Sequence, residues 1–149
     1  MAERTEGSIV IKADPAAIMA DITDFENYTE WSNEIKKTEV LDRDTSKRGK
    51  RVAFVVEAPV VGKSEYTLDY TYTPNDTGCS WDWVEGKGAV KHMSGEYVLE
   101  PAGAGQTKVT YRLEMEIGVR IPGFLKRQGQ KMVTDVALKG LKKRIEEAS

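Results

Sequence analysis

One histidine, one cysteine and six tyrosines are the residues of this chain with the most evident capacity for chemistry. His92 and Cys79 stand alone in their kinds, so a two-histidine zinc site cannot form and ordinary zinc ligation is not reached. A nucleophile relay of the Ser-His-Asp or Cys-His kind would have to run through His92. In the stretch GAVKHMSG, His92 alternates with Met93, which places it toward solvent or at a strand edge. The glycines and lysines of GVRIPGFLKRQGQK lack the strand, Gly-rich loop and Lys-Ser/Thr order of a phosphate cradle. Chemistry at a carbonyl asks for less: a shaped pocket and one general acid or base. Every Asp and Glu in the strands falls in the polar phase, so no catalytic residue is assigned and enzyme activity is not the favoured reading.

The tyrosines are more informative. Tyr66, Tyr70, Tyr72, Tyr97 and Tyr111 all fall in the apolar phase of their strands, and a buried hydroxyl needs a partner. A core built for packing alone would use Phe, of which there are only three. Inward hydroxyls therefore point to ordered water or to the polar end of a ligand, since pockets combine apolar walls with a few placed polar groups. The alternative is that they reach backbone or the rim of the sheet.

At 149 residues the chain fits one domain, expected over 1–149. Charged residues make up 31% and hydrophobic residues 40%, a balance that allows a real core and argues against disorder. The net charge is −2, and the basic clusters at Lys36–Lys37, Lys47–Arg51 and Lys142–Arg144 sit beside acidic residues. That pattern argues against a nucleic-acid partner. A single cysteine and an N-terminus without an apolar core suggest a cytoplasmic protein. No apolar run is long enough for an integral membrane segment, though transient membrane contact stays open.

Positioning falls to an α+β arrangement. Ser8–Ala13 reads as a first strand, and Asp14-Pro15 as a helix start with a carboxylate cap. Ile18, Met19, Ile22 and Phe25 follow at helical spacing, and a second short helix is expected over Phe25–Trp31. From about residue 34 to 119 the period is two. Tyr66, Leu68, Tyr70 and Tyr72 share one face; so do Trp81 and Trp83, then Met93, Gly95, Tyr97 and Leu99, then Val109, Tyr111, Leu113, Met115 and Ile117. Short turns between such strands make an antiparallel meander with one face to be covered.

The cover is a C-terminal helix of about 24 residues, roughly 36 Å long, with Met132, Val133, Val136, Ala137, Leu141 and Ile145 inward. Gly129 and Gly140 lie inside it, each costing roughly 1 kcal/mol against Ala. At about 100° per residue they share a stripe with Val133 and Val136. Small side chains opposite Tyr, Trp and Met either bring the helix close to the sheet or leave room for a guest.

This order resembles the helix-grip fold of the START and birch-pollen-allergen superfamily. IKADPAAIMADITDFENYTEW resembles the opening of the polyketide cyclase/dehydrase and coenzyme-Q-binding START-like proteins, with Asp24, Phe25, Glu26, Tyr28 and Trp31 matching. SGEYVLEPAGAGQTKVTYRL resembles the Gly-x-Tyr/Trp-x-Leu-x-Pro segment and following strand of the same families. Two positions depart: Thr29 stands where Pro is common, and Asp21 where an apolar residue is usual. Asp21 is expected at solvent, with the cavity rim as the alternative.

The expectation is a carrier or sensor of an apolar small molecule such as a lipid, isoprenoid or polyketide, needing no cofactor or metal. Its walls would be Tyr66, Leu68, Tyr70, Trp81, Trp83, Met93, Tyr97, Tyr111, Leu113 and Met115. Gly129, Val133, Val136, Ala137 and Gly140 would face them from the helix, and Phe25, Tyr28 and Trp31 would shape the mouth. A polyketide cyclase or dehydratase is the second reading and a protein-interaction module the third.

Overall fold

The computed structural model describes residues 3–30, 32–58, 62–118 and 120–148. β1 (Glu3–Ile11) leads into α1 (Pro15–Ile22) and a short 3-10 helix (Phe25–Glu30). Six strands follow: β2 (Ile35–Arg43), β3 (Gly49–Ala58), β4 (Gly62–Tyr72), β5 (Gly78–Gly88), β6 (Val90–Pro101) and β7 (Thr107–Ile117). They form one antiparallel seven-stranded sheet in the order β1-β7-β6-β5-β4-β3-β2. From β2 to β7 the period-two pattern and the short connections give consecutive hairpins, while β1, separated from β2 by the two short helices, pairs with β7.

Pro15 occupies the first turn of α1, where its missing N–H is no loss, but the Asp14 side chain makes no capping bond. Tight placement of the next segment comes from glycine. Phe25 lies against Gly49, where an added Cβ would come within 2.8 Å of the ring. The Phe25 ring then packs on Tyr28 and Tyr70 at centroid distances of 5.1 and 4.7 Å.

The C-terminal helix is continuous but not uniform. α2 (Gly123–Asp135) passes into a π turn (Val136–Gly140) and then α3 (Leu141–Ala148). A π turn shifts the hydrogen-bond ladder by one residue and so rotates everything beyond it. The shared glycine stripe predicted at a constant 100° per residue is therefore broken between Gly129 and Gly140.

The helix rests on one half of the sheet. Gln130 and Thr134 are buried, and they seat α2 on β7 and β1: Gln130 Nε2 donates to the Leu113 carbonyl at 3.3 Å, and the Thr134 and Thr5 hydroxyl oxygens are 2.7 Å apart. Gly7 of β1 lets Leu138 approach, since a Cβ there would be 3.0 Å from its Cδ1. α3 is tied down by charge. The Arg144 guanidinium meets Asp21 and Asp24 at 3.1 Å each and Glu30 at 3.3 Å. Asp21, expected at solvent, is thus held in a half-buried ion pair. Lys142 donates to the Val10 carbonyl of β1, and Glu146 accepts from the Lys12 backbone N–H just beyond it. Among the described residues, no helix is long and apolar enough to cross a membrane.

Candidate ligand cavity

Because α2 leans on β1 and β7, a hollow of about 180 Å³ remains between the helix and the concave face of β3 to β7. From the sheet, Tyr66, Leu68, Tyr70, Trp81, Met93, Tyr97, Tyr111 and Met115 line it. Gly129, Val133, Val136 and Ala137 line it from the helix, and Tyr28 from the 3-10 segment. Val133 is nevertheless 36% exposed and Met132 42%, so this side of the helix forms a mouth rather than a sealed wall.

The aromatic floor follows from strand register. Trp81 pairs with Gly95 across β5 and β6, and its indole covers the glycine: an added Cβ would lie 2.6 Å from Trp81 Cζ2 and 2.4 Å from the Arg112 carbonyl oxygen. Laid flat in this way, Trp81 reaches Tyr70, Tyr97 and Tyr111 at centroid distances of 5.8, 5.7 and 5.5 Å. Tyr97 and Tyr111 meet at 4.9 Å, and Phe54 and Tyr66 at 5.6 Å.

Hydroxyl partners divide these tyrosines. The Tyr97 hydroxyl donates to the Ala137 carbonyl at 2.9 Å, and that of Tyr28 donates to the Ile22 carbonyl. Tyr72, outside the hollow, donates to the Gly49 carbonyl at 2.5 Å. The hydroxyls of Tyr66, Tyr70 and Tyr111 have no hydrogen-bond partner among the described residues, and none of the three oxygens is sealed from accessible space. Burial pushes the titration of all three up, most plainly for Tyr70 and Tyr111, so each remains a neutral phenol able to donate.

Four residues expected in the walls or mouth lie elsewhere. Phe25 is sunk in the core against Gly49. Leu113 lies beneath the seat of α2. Gly140 is turned away by the π turn. Trp83 sits past the point where β5 separates from β6, whose pairing ends at Trp81 and Gly95, and it stacks between Tyr66 and His92. His92 is exposed, as its phase predicts. Trp31 lies outside the described residues.

Other lining residues were not named among the expected walls: Ser32, Glu34, Ile35, Phe54, Val56, Ala58 and Val90, with Ile117 and Met132, which were read only as inward-facing. Phe54, Val56 and Ile117 carried a signal, since they alternate in phase with their strands. Glu34 carried none, because it precedes β2 and belongs to no periodic pattern. Among the described residues it is the one carboxylate on the lining, with the Ser32 hydroxyl 3.5 Å from its Oε2. Among the described residues no group of three or more His, Cys, Asp or Glu is gathered as a metal would need.

A curved antiparallel sheet gripping a long terminal helix, with short helices after the first strand, defines the helix-grip class. The chain belongs to the polyketide cyclase / dehydrase and lipid transport family, whose model matches residues 2–146. A relative in Pseudomonas aeruginosa, an uncharacterised protein, is 29% identical over 141 residues, covering 89% of this chain and 68% of its own. Solved structures agree in fold. A START superfamily protein from Mycobacterium smegmatis superposes with a TM-score of 0.85 at 19% identity, covering 98% of this chain and 99% of its own. The Zhui aromatase/cyclase from Streptomyces sp. R1128 gives 0.81 at 15% identity, with 98% and 94% covered.

Proposed function

We propose that this protein binds a small apolar molecule in the hollow between helix and sheet, as a carrier or sensor. The observation that carries the reading is an aromatic-walled cavity in which three neutral tyrosine hydroxyls have no partner among the described residues. A close-packed core would be expected to pair such groups. Family membership supports it, since lipid transport is among the activities the family is described by. The volume suits a compact guest: a cavity of about 150 Å³ holds benzene, whereas drug-sized ligands occupy roughly 300–1,000 Å³. Extraction of the purified protein with organic solvent, followed by mass spectrometry, tests this. One apolar species in stoichiometric amount supports it; no species, together with no binder in an aromatic and lipid panel, counts against it.

A cyclase or dehydratase reading is favoured by one observation. Glu34 is a carboxylate on the wall of an otherwise apolar hollow, where a general base for a carbonyl substrate would stand. Turnover of a poly-β-ketone substrate that Glu34→Gln abolishes would favour catalysis over carriage.

A further inference from the structure

The lining of the hollow is asymmetric in charge. Glu34 brings a formal negative charge to the lining, beside Ser32 and Ile35. Among the described residues no Lys or Arg lies within ion-pairing distance of it: Lys36, two residues on, turns its ammonium to the Asn33 carbonyl at 2.7 Å. Deeper in, the polar side-chain groups on the lining are tyrosine hydroxyls and the Trp81 indole N–H, all of them neutral donors. Tyr66, Tyr70 and Tyr111 are spare donors with raised titration, and no cation on the lining could balance an anionic guest.

Two physical consequences follow. A carboxylate entering this space would be stripped of water with no positive partner. It would also pass a like charge at close range, where the surrounding protein screens less than bulk water does. A neutral oxygen acceptor, by contrast, would meet phenol protons that have no partner among the described residues. Building on the cavity-binding reading above, we infer that the site takes a compact, neutral ligand carrying a hydrogen-bond-accepting oxygen, and that Glu34 is the specificity residue that excludes carboxylates.

Such a lining differs from that of a site made for free fatty acids or other organic anions. A fatty-acid site would place Arg or Lys where its headgroup rests. Here the lining offers a carboxylate and a serine hydroxyl, with no Lys or Arg among its described residues. Glu34 is also only half-buried, so its substitution by Gln changes charge without removing a core side chain.

Three bicyclic probes of nearly equal shape form the test: 2-acetylnaphthalene, 2-ethylnaphthalene and 2-naphthoate, titrated by calorimetry at neutral pH. For the wild-type chain the ketone should bind at least threefold more tightly than the hydrocarbon and at least tenfold more tightly than the carboxylate. Glu34→Gln should tighten 2-naphthoate at least fivefold relative to the ketone, with an unchanged far-UV circular dichroism spectrum and urea midpoint reporting an intact fold. Glu34→Arg should tighten 2-naphthoate further. An unchanged naphthoate affinity in both variants overturns the role given to Glu34 while leaving cavity binding intact. A hydrocarbon that binds as tightly as the ketone overturns the neutral-acceptor assignment. Failure of all three probes with the wild-type chain overturns the cavity reading itself, and this inference with it.

Discussion

The hydroxyl of Tyr97, on β6, donates to the main-chain carbonyl of Ala137 at 2.9 Å, inside the π turn of the C-terminal helix. This bond joins the floor of the hollow to the one turn of the helix whose ladder is widened. It pins the helix at a set distance from the sheet. The neighbouring hydroxyls of Tyr66, Tyr70 and Tyr111 make no comparable tie.

Replacing Tyr97 by Phe should therefore cost about 1–2 kcal/mol, the value of a buried hydrogen bond whose acceptor is left unpaired. Tyr66→Phe, which deletes a hydroxyl without a protein partner, should change stability by less than about 0.5 kcal/mol. Urea unfolding of the two variants beside the wild type makes the comparison. Equal losses in both would contradict the division of the tyrosines.

Gly95→Ala should be more damaging than a surface change of the same size. The added methyl would lie 2.4 Å from the Arg112 carbonyl oxygen and 2.6 Å from Trp81. Overpacking of this kind costs about 1–3 kcal/mol. Trp81 should also tilt into the hollow, so the variant should bind apolar probes more weakly and show altered tryptophan fluorescence.

The grip of α3 on α1 and the 3-10 segment rests on Arg144. Its side chain is 21% exposed, and it meets three carboxylates that would repel one another without it. Arg144→Met should cost about 1–2 kcal/mol, less than a fully buried pair because water partly screens the site. Rising salt should narrow the difference from wild type. A difference unchanged by salt would mean that lost packing, not charge, is responsible.

Stability should fall on the alkaline side. Burial pushes the Cys79 thiol from 9.0 up to about 12, and the buried tyrosines are shifted upward from 10.0 as well. The folded chain holds these protons where the unfolded chain releases them. The stability they contribute is therefore complete below about pH 9 and is lost as pH rises toward the folded values, by about 1.4 kcal/mol per unit for each group. Urea midpoints at about pH 8 and pH 10.5 measure the slope. Iodoacetamide should label Cys79 in urea and not in the native protein.

Much of this architecture is legible in the residues because a two-residue period leaves few choices. Val109, Tyr111, Leu113, Met115 and Ile117 of β7 face inward as their alternation requires. The helix was harder to read. Its buried polar seat, Gln130 and Thr134, has no apolar signature, and the π turn changes the phase that a constant helical angle assumes. For that reason a constant helical angle does not carry Gly140 onto the lining. Trp83 was misplaced because the separation of β5 from β6 depends on pairing, not on local pattern. Asp21 could not be assigned alone, since its partner Arg144 lies 123 residues away. Glu34 sits in a connection, where no periodicity says which way a side chain faces.

The most direct test is a calorimetric titration of 2-acetylnaphthalene into the wild-type chain and into Val136→Trp, whose indole would occupy the space beside Tyr97 and Tyr111. The account predicts saturable binding at one site per chain in the wild type, and its loss in the variant with the far-UV circular dichroism spectrum retained. Binding that survives the filled hollow, or a wild-type chain that takes up no probe, would contradict it.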